Sequence, residues 1–210
     1  MKLILSSNDF SRPDTRACIF ANLPLPVSEC RLLYIPNEKV SEKQMKSSRF
    51  QEKCSRYGFR TERVAVLNYY HPESIADFRP DVVYLGGGNT FSTFARIRDH
   101  GFADTLCRLI KNGAVYIGGS CGAHIVSADI QHVKAFDEDR VGFTDYSGLG
   151  LFCGVLVCHY SKDREPVYEK LLRESRYPVY ALRNGDSLVV EDGIVTVVPC
   201  DETIPEEQSI

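Results

Sequence analysis

Short apolar runs alternate with amphipathic stretches along the first 120 residues. "KLILS" reads as a first strand, followed by a polar connection, and "RLLYIP" as a second strand. In the charged stretch "EKVSEKQMKSSRFQEKCSRYGF", Val40, Met45, Phe50, Cys54 and Tyr57 recur at roughly helical spacing. "RVAVLNYY" is a third strand, "PESIADF" a short helix after the His71-Pro72 break, and "DVVYLGGG" a fourth strand ending in glycines. "TFSTFARIRDHG" and "FADTLCRLIKNG" are helices that each close on Gly, at Gly101 and Gly113, and "AVYIGGS" is a fifth strand. Strands apolar on both faces and separated by helices predict a parallel sheet covered on both sides.

The later part is less regular. "GVLVCHY" is a strand and "REPVYEKLLRES" a helix with Pro166 in its first turn, after which "PVYALR" follows. "DSLVVEDGIVTVVP" predicts a hairpin turning at Asp192-Gly193. No repeat or linker divides the chain, so residues 1–210 are expected to form a single α/β domain, with 201–210 as a loosely packed tail.

The chain has 210 residues and a net charge of -3, which gives no electrostatic reason to expect nucleic acid or an anionic membrane as partner. Its longest apolar run, Gly148 to Cys158, is too short to span a bilayer, and "MKLILSSNDF" does not read as a signal peptide. The eight cysteines contain no CxxC pair and fit no zinc module. Most of them read as reduced core residues of a cytoplasmic protein, with no metal expected.

The chemistry is concentrated in "YIGGSCGAHI". Gly118, Ser120 and Gly122 form G-x-S-x-G between a strand and a helical stretch, the setting of a nucleophile elbow. In this register Ser120 is exposed at the turn. Cys121 turns into the fold and offers its backbone N–H to an oxyanion. The competing reading is a plain tight turn or a phosphate-binding loop. A second turn, "GGGNTF" (residues 86–91), follows another strand and falls at the same end of a parallel sheet. It lacks the P-loop Lys-Ser/Thr, and could bind phosphate or complete an oxyanion hole. Asn89 and Thr90 of this turn are expected beside the substrate. A serine needs a base. Of the five histidines, His71 and His100 read as surface residues, His124 as part of a helix leaving the site, and His132 as part of a polar region. His159, ending "VLVCHY", is the candidate base if its strand runs parallel to the others.

Together, "LSSN", "GGGNTF", "GAVYIGGSCGAHI", "CHY", "DRE" and "LRNGDSLVV", in this order and spacing, resemble the peptidase E family of serine peptidases, with cyanophycinases as relatives. The resemblance implies a flavodoxin-like or amidotransferase-like α/β sandwich: a mostly parallel sheet, helices on both faces and a C-terminal hairpin. It implies Ser120 as nucleophile, His159 as base, the N–H groups of Gly88 and Cys121 as oxyanion hole, and no cofactor. The implied substrates are dipeptides with an N-terminal aspartate, cut through an acyl-enzyme. The family usually has Ala at the position of Cys121 and Asn-Pro before the His, where this chain has "VCHY".

The family's third catalytic acid falls on one of two stretches. In "HVKAFDED" the matching position is Ala135, with Asp137 two residues on; in "LRNGD" it is Asn184, with Asp186 two further. Asn184 is the group expected to orient His159. Arg164, in "KDREP", matches a family Arg before a helix and is expected to hold the acidic side chain of the substrate, against the alternative of a surface pair with Asp163 or Glu165. The leading reading is a cytoplasmic serine dipeptidase acting on small acidic peptides. The alternatives are a related hydrolase of isoaspartyl or cyanophycin-like material, or a small-molecule binder with a decayed triad. Monomer and homodimer both remain open.

Overall fold

A computed structural model of the chain describes residues 1–200; the expected tail, 201–210, lies outside the described residues. In chain order the elements are β1 (Lys2–Ser6), α1 (Pro13–Ala21), β2 (Leu32–Tyr34), α2 (Glu42–Met45), α3 (Arg49–Ser55), β3 (Val64–Val66), β4 (Val82–Leu85), α4 (Thr90–Asp99), α5 (Ala103–Lys111), β5 (Val115–Gly119), α6 (Cys121–Ile125), β6 (Val155–Val157), α7 (Glu165–Glu174), β7 (Val179–Ala181), β8 (Ser187–Glu191) and β9 (Ile194–Val198). Seven strands make one sheet in the order β3-β2-β4-β5-β1-β8-β9. The first five are mutually parallel, and β8 and β9 are antiparallel additions.

Strand periodicity explains why the central runs are apolar throughout. Leu3, Leu5, Leu33, Val83, Leu85 and Tyr116 face a core shared with α4, α5 and α6. The alternate residues Ile4, Leu32, Tyr34, Val82, Tyr84 and Ile117 face a second core with Phe10, Ile19, Phe50 and Cys54. This is the expected α/β arrangement, with the hairpin where it was predicted. Asp192 (φ 49°) and Gly193 (φ 85°) are both left-handed, as a two-residue turn between Glu191 and Ile194 requires. The register sets Ser6 beside Gly119 and Leu85 beside Gly118, so both glycine turns leave the same sheet end as neighbours. No helix among the described residues is long and apolar enough to cross a membrane.

Several elements differ from expectation. The polar connection after β1 holds α1, which starts on Pro13 and buries Thr15 through a hydrogen bond to the Gly185 carbonyl (3.1 Å). A buried polar residue on the inner face hides the helical pattern. The charged stretch is two short helices; Ser41 and Gln44 form a capping box that starts α2 separately. "PESIADF" yields only a 3-10 turn, Pro72–Ile75. The late strands β6 and β7 do not join the main sheet, but pair in parallel with each other. The position open to them beside β1 is taken by β8.

Candidate active site

The elbow is built by close backbone approach. A Cβ on Gly122 would lie 2.1 Å from the Leu85 carbonyl oxygen, and one on Gly118 would lie 2.8 Å from the Gly122 backbone. Between them Ser120 adopts φ 48°, ψ −103°, a strained conformation for a residue with a side chain. Its N–H is anchored to the Ser6 carbonyl (2.8 Å), and its own carbonyl accepts from His124 N (3.0 Å). Ser120 is half-buried, whereas Cys121 is completely buried. Burial raises the Cys121 thiol well above its ordinary value and keeps it protonated.

His159 follows β6 in a left-handed conformation, φ 51°. Its N–H donates to Ser7 Oγ (2.8 Å), and that hydroxyl donates to the Leu182 carbonyl (3.0 Å), beyond β7. Buried Ser7 therefore ties the end of β1 to the small sheet. The imidazole Nε2 lies 3.1 Å from Ser120 Oγ, and Nδ1 lies 2.8 Å from Asn184 Oδ1. An amide oxygen only accepts, so Nδ1 carries the proton and the Nε2 lone pair faces the serine hydroxyl.

Neither nearby acid occupies the place of Asn184. Asp137 Oδ2 accepts from Thr90 N (2.7 Å) at the start of α4. Asp186 accepts from Arg183 N and Cys200 N (both 2.8 Å). Burial opposes its charge, but these bonds outweigh burial and hold the carboxyl below its ordinary value. His124 is buried beside Thr90 Oγ1 (3.3 Å), and desolvation pushes it well below the usual imidazole range. His132 Nε2 meets the Leu156 carbonyl (2.7 Å).

Asn89 and Thr90, expected beside the substrate, have other partners. Asn89 caps α4 by accepting from Ser92 N (2.9 Å) and donates to the Glu138 carbonyl (3.0 Å); Thr90 is completely buried. The backbone N–H groups at this helix start already face Glu38 Oε1 (Asn89 N, 3.0 Å) and Asp137 (Thr90 N). Two protein carboxylates thus occupy the place a phosphate would take, which argues against the phosphate-loop reading. The N–H groups of Gly88 and Cys121 have no hydrogen-bond partner among the described residues.

Arg164 is half-buried at the cap of α7. Its Nη1 donates to the Cys158 carbonyl (2.8 Å), and its Cζ sits 4.0 Å from the Phe136 ring centroid. This places a guanidinium beside His159, and no ion pair with Asp163 or Glu165 occurs among the described residues. Glu38, which braces the glycine turn, went unnoticed in the sequence. It lies 51 residues from its partner Asn89, within a charged stretch that gives no local signal.

Comparison with known proteins agrees with this architecture. The model of peptidase family S51 matches residues 3–198. Peptidase E of Haemophilus influenzae (strain PittGG) is 28% identical over 145 residues, covering 63% of this chain and 61% of that protein. Peptidase E of Citrobacter koseri is 32% identical over 103 residues, covering 49% and 43%. The chain thus spans less than two thirds of the length of these curated relatives. A crystal structure of a Listeria monocytogenes EGD-e protein superposes with a TM-score of 0.74 at 22% identity, covering 95% of this chain and 98% of that one. A peptidase from an acI-B1 actinobacterium gives 0.61 at 16% identity, covering 94% and 87%. At these identities the two structures speak for the fold. With the family model running from the first strand to the last, the chain belongs to peptidase family S51.

Proposed function

We propose that the chain is a serine peptidase that cleaves short acidic peptides through an acyl-enzyme. The observation that carries this reading is the hydrogen-bonded series Ser120 Oγ, His159, Asn184 Oδ1, in the tautomer that leaves Nε2 free to accept a proton. In the proposed reaction Ser120 Oγ attacks the scissile carbonyl as His159 Nε2 takes its proton. The Gly88 and Cys121 N–H groups receive the oxyanion. The imidazolium then gives its proton to the leaving amine, and a water, activated by the same ring, releases the acyl group. Asn184 holds the ring and its tautomer, and Arg164 offers its remaining donors to a substrate carboxylate. The decayed-binder reading is weaker because the amide oxygen, the half of Asn184 that serves catalysis, faces the imidazole.

A fluorophosphonate probe and Asp-X dipeptides test the proposal. Wild type and Cys121→Ala should label and hydrolyse, and Ser120→Ala should do neither. Arg164→Ala should lose kcat/KM on Asp-X far more than on Ala-X. A folded Cys121→Ala that is inert, or a wild type that prefers Ala-X, would overturn the respective assignment.

A further inference from the structure

The glycine turn is braced by the loop after β2. The Gly87–Gly88 peptide unit holds both the Gly87 carbonyl and the Gly88 N–H, and in a trans peptide these point in opposite directions. Glycines on both sides make such a unit prone to flip, because glycine tolerates either sign of φ. With Gly88 read as an oxyanion donor, a flip would turn its N–H away from the oxyanion and put a carbonyl oxygen, which repels an oxyanion, in its place.

Two side chains from the loop after β2 bear on this unit. Asn37 Nδ2 donates to the Gly87 carbonyl (2.6 Å), the oxygen that would have to move. Glu38 Oε1 accepts from the next peptide, Asn89 N (3.0 Å), and its Oε2 accepts from Thr93 Oγ1 (2.6 Å). A Cβ on Gly88 would lie 2.6 Å from Glu38 Oε2 and 2.9 Å from Asn37 Cβ, so both residues press directly on this glycine. The loop itself is fixed from α4: Arg96 Nη1 donates to the carbonyls of Asn37 (3.0 Å) and Val40 (2.8 Å). The clasp therefore closes on the peptide between Gly87 and Gly88 from one side and on the next peptide from the other.

We propose that Asn37 and Glu38 are positioning residues that lock the Gly87–Gly88 peptide against a flip and keep the Gly88 N–H aimed at the oxyanion. The proposal rests on the reading of Gly88 as an oxyanion donor. Neither residue touches the reacting atoms; both act through the backbone of the turn.

Saturation kinetics of fluorophosphonate labelling test it without knowledge of the natural substrate. Glu38→Ala and Asn37→Ala should each lower the maximal labelling rate by about tenfold. The ceiling is the roughly 10²- to 10³-fold cost of removing an oxyanion donor outright. The half-saturating probe concentration should stay within about twofold, since ground-state binding does not use the oxyanion donors. Glu38→Gln should recover most of the rate, because its amide oxygen still accepts from Asn89 N and its NH₂ can reach Thr93 Oγ1. Asn37 is half-buried and its bond to Gly87 is solvent-exposed, so Asn37→Ala tests the clasp even if Glu38→Ala folds poorly. Maximal rates unchanged in the alanine variants, or Glu38→Gln as slow as Glu38→Ala, would overturn the proposal. Labelling of Ser120→Ala would instead refute the serine reading beneath it.

Discussion

Replacing Asn184 with Asp asks how much of the proposed catalysis waits on a missing charge. When His159 accepts the Ser120 proton, the imidazolium has only an amide dipole 2.8 Å from Nδ1. A carboxylate in the same place would add a full charge. Two unit charges about 4 Å apart attract by about 4 kcal/mol at an effective dielectric constant of 20, and by about 1 kcal/mol in bulk water. Asn184 is exposed and His159 only half-buried, so the gain belongs near the lower bound, about 1 to 2 kcal/mol. That corresponds to about a 5- to 30-fold rise in rate. The 10⁴-fold penalty for the converse change in chymotrypsin-type triads is tied to a wrong tautomer. Here the amide oxygen already enforces the right one, so only the electrostatic part remains to be gained. The assay is the fluorophosphonate labelling rate, followed from about pH 5 to about pH 9 across the imidazole range. The carboxylate also favours a protonated ring at rest, so the acid limb should move to higher pH. Asn184→Ala should fall below wild type. Asn184→Asp at or below the wild-type rate with an unchanged Tm, or Asn184→Ala equal to wild type, would refute the argument.

Three further substitutions report on the scaffold beneath the site. Burial raises the Asp9 carboxyl above its ordinary 3.8, against the opposing pull of Lys53 and the hydrogen bond from Tyr84 Oη (2.9 Å). The folded state therefore binds this proton more tightly than the unfolded chain, and the stability so gained is lost as pH rises through the folded pKa. Asp9→Asn keeps an acceptor for Tyr84 and tolerates φ 48°, so it should raise Tm at neutral pH and flatten the decline in Tm from acid to neutral; equal pH dependence in both proteins would count against this. Gly122→Ala should cost at least about 3 kcal/mol, the upper end for overpacking, because the new methyl meets backbone that cannot swing aside. Gly87→Ala, whose Cβ would find nothing within 4 Å, should leave Tm nearly unchanged in the same melts.

The parts legible in the sequence were those with short-range signatures. The strands of the parallel sheet announce themselves because both faces are buried, so no polar residue interrupts "LIL" or "VVYL". The elbow is legible because two backbone approaches each demand a glycine at fixed spacing around Ser120. The structure joins Ser120, His159 and Asn184 in one hydrogen-bonded series, with His159 reaching it from a separate sheet. Helix α1 was hidden because Thr15 supplies its inner face through a hydrogen bond rather than an apolar contact. The partners of Asn89 and Thr90 were not legible, because a polar residue after a glycine turn can cap a helix or meet a ligand, and the sequence does not show Ser92, Glu138 and His124 beside them. Asn37 and Glu38 could not be found locally, since each meets its partner only after the chain has crossed the sheet.

The two-sheet construction has a mechanical consequence. Ser120 is mounted on the seven-stranded sheet and His159 on a two-stranded one whose strands are three residues each, with Ser7 as a pin between the two mounts. Alignment of the pair is therefore a property of the joint rather than of either plate. A relative shift of the two mounts would therefore change the 3.1 Å approach of His159 Nε2 to Ser120 Oγ even with both sheets intact.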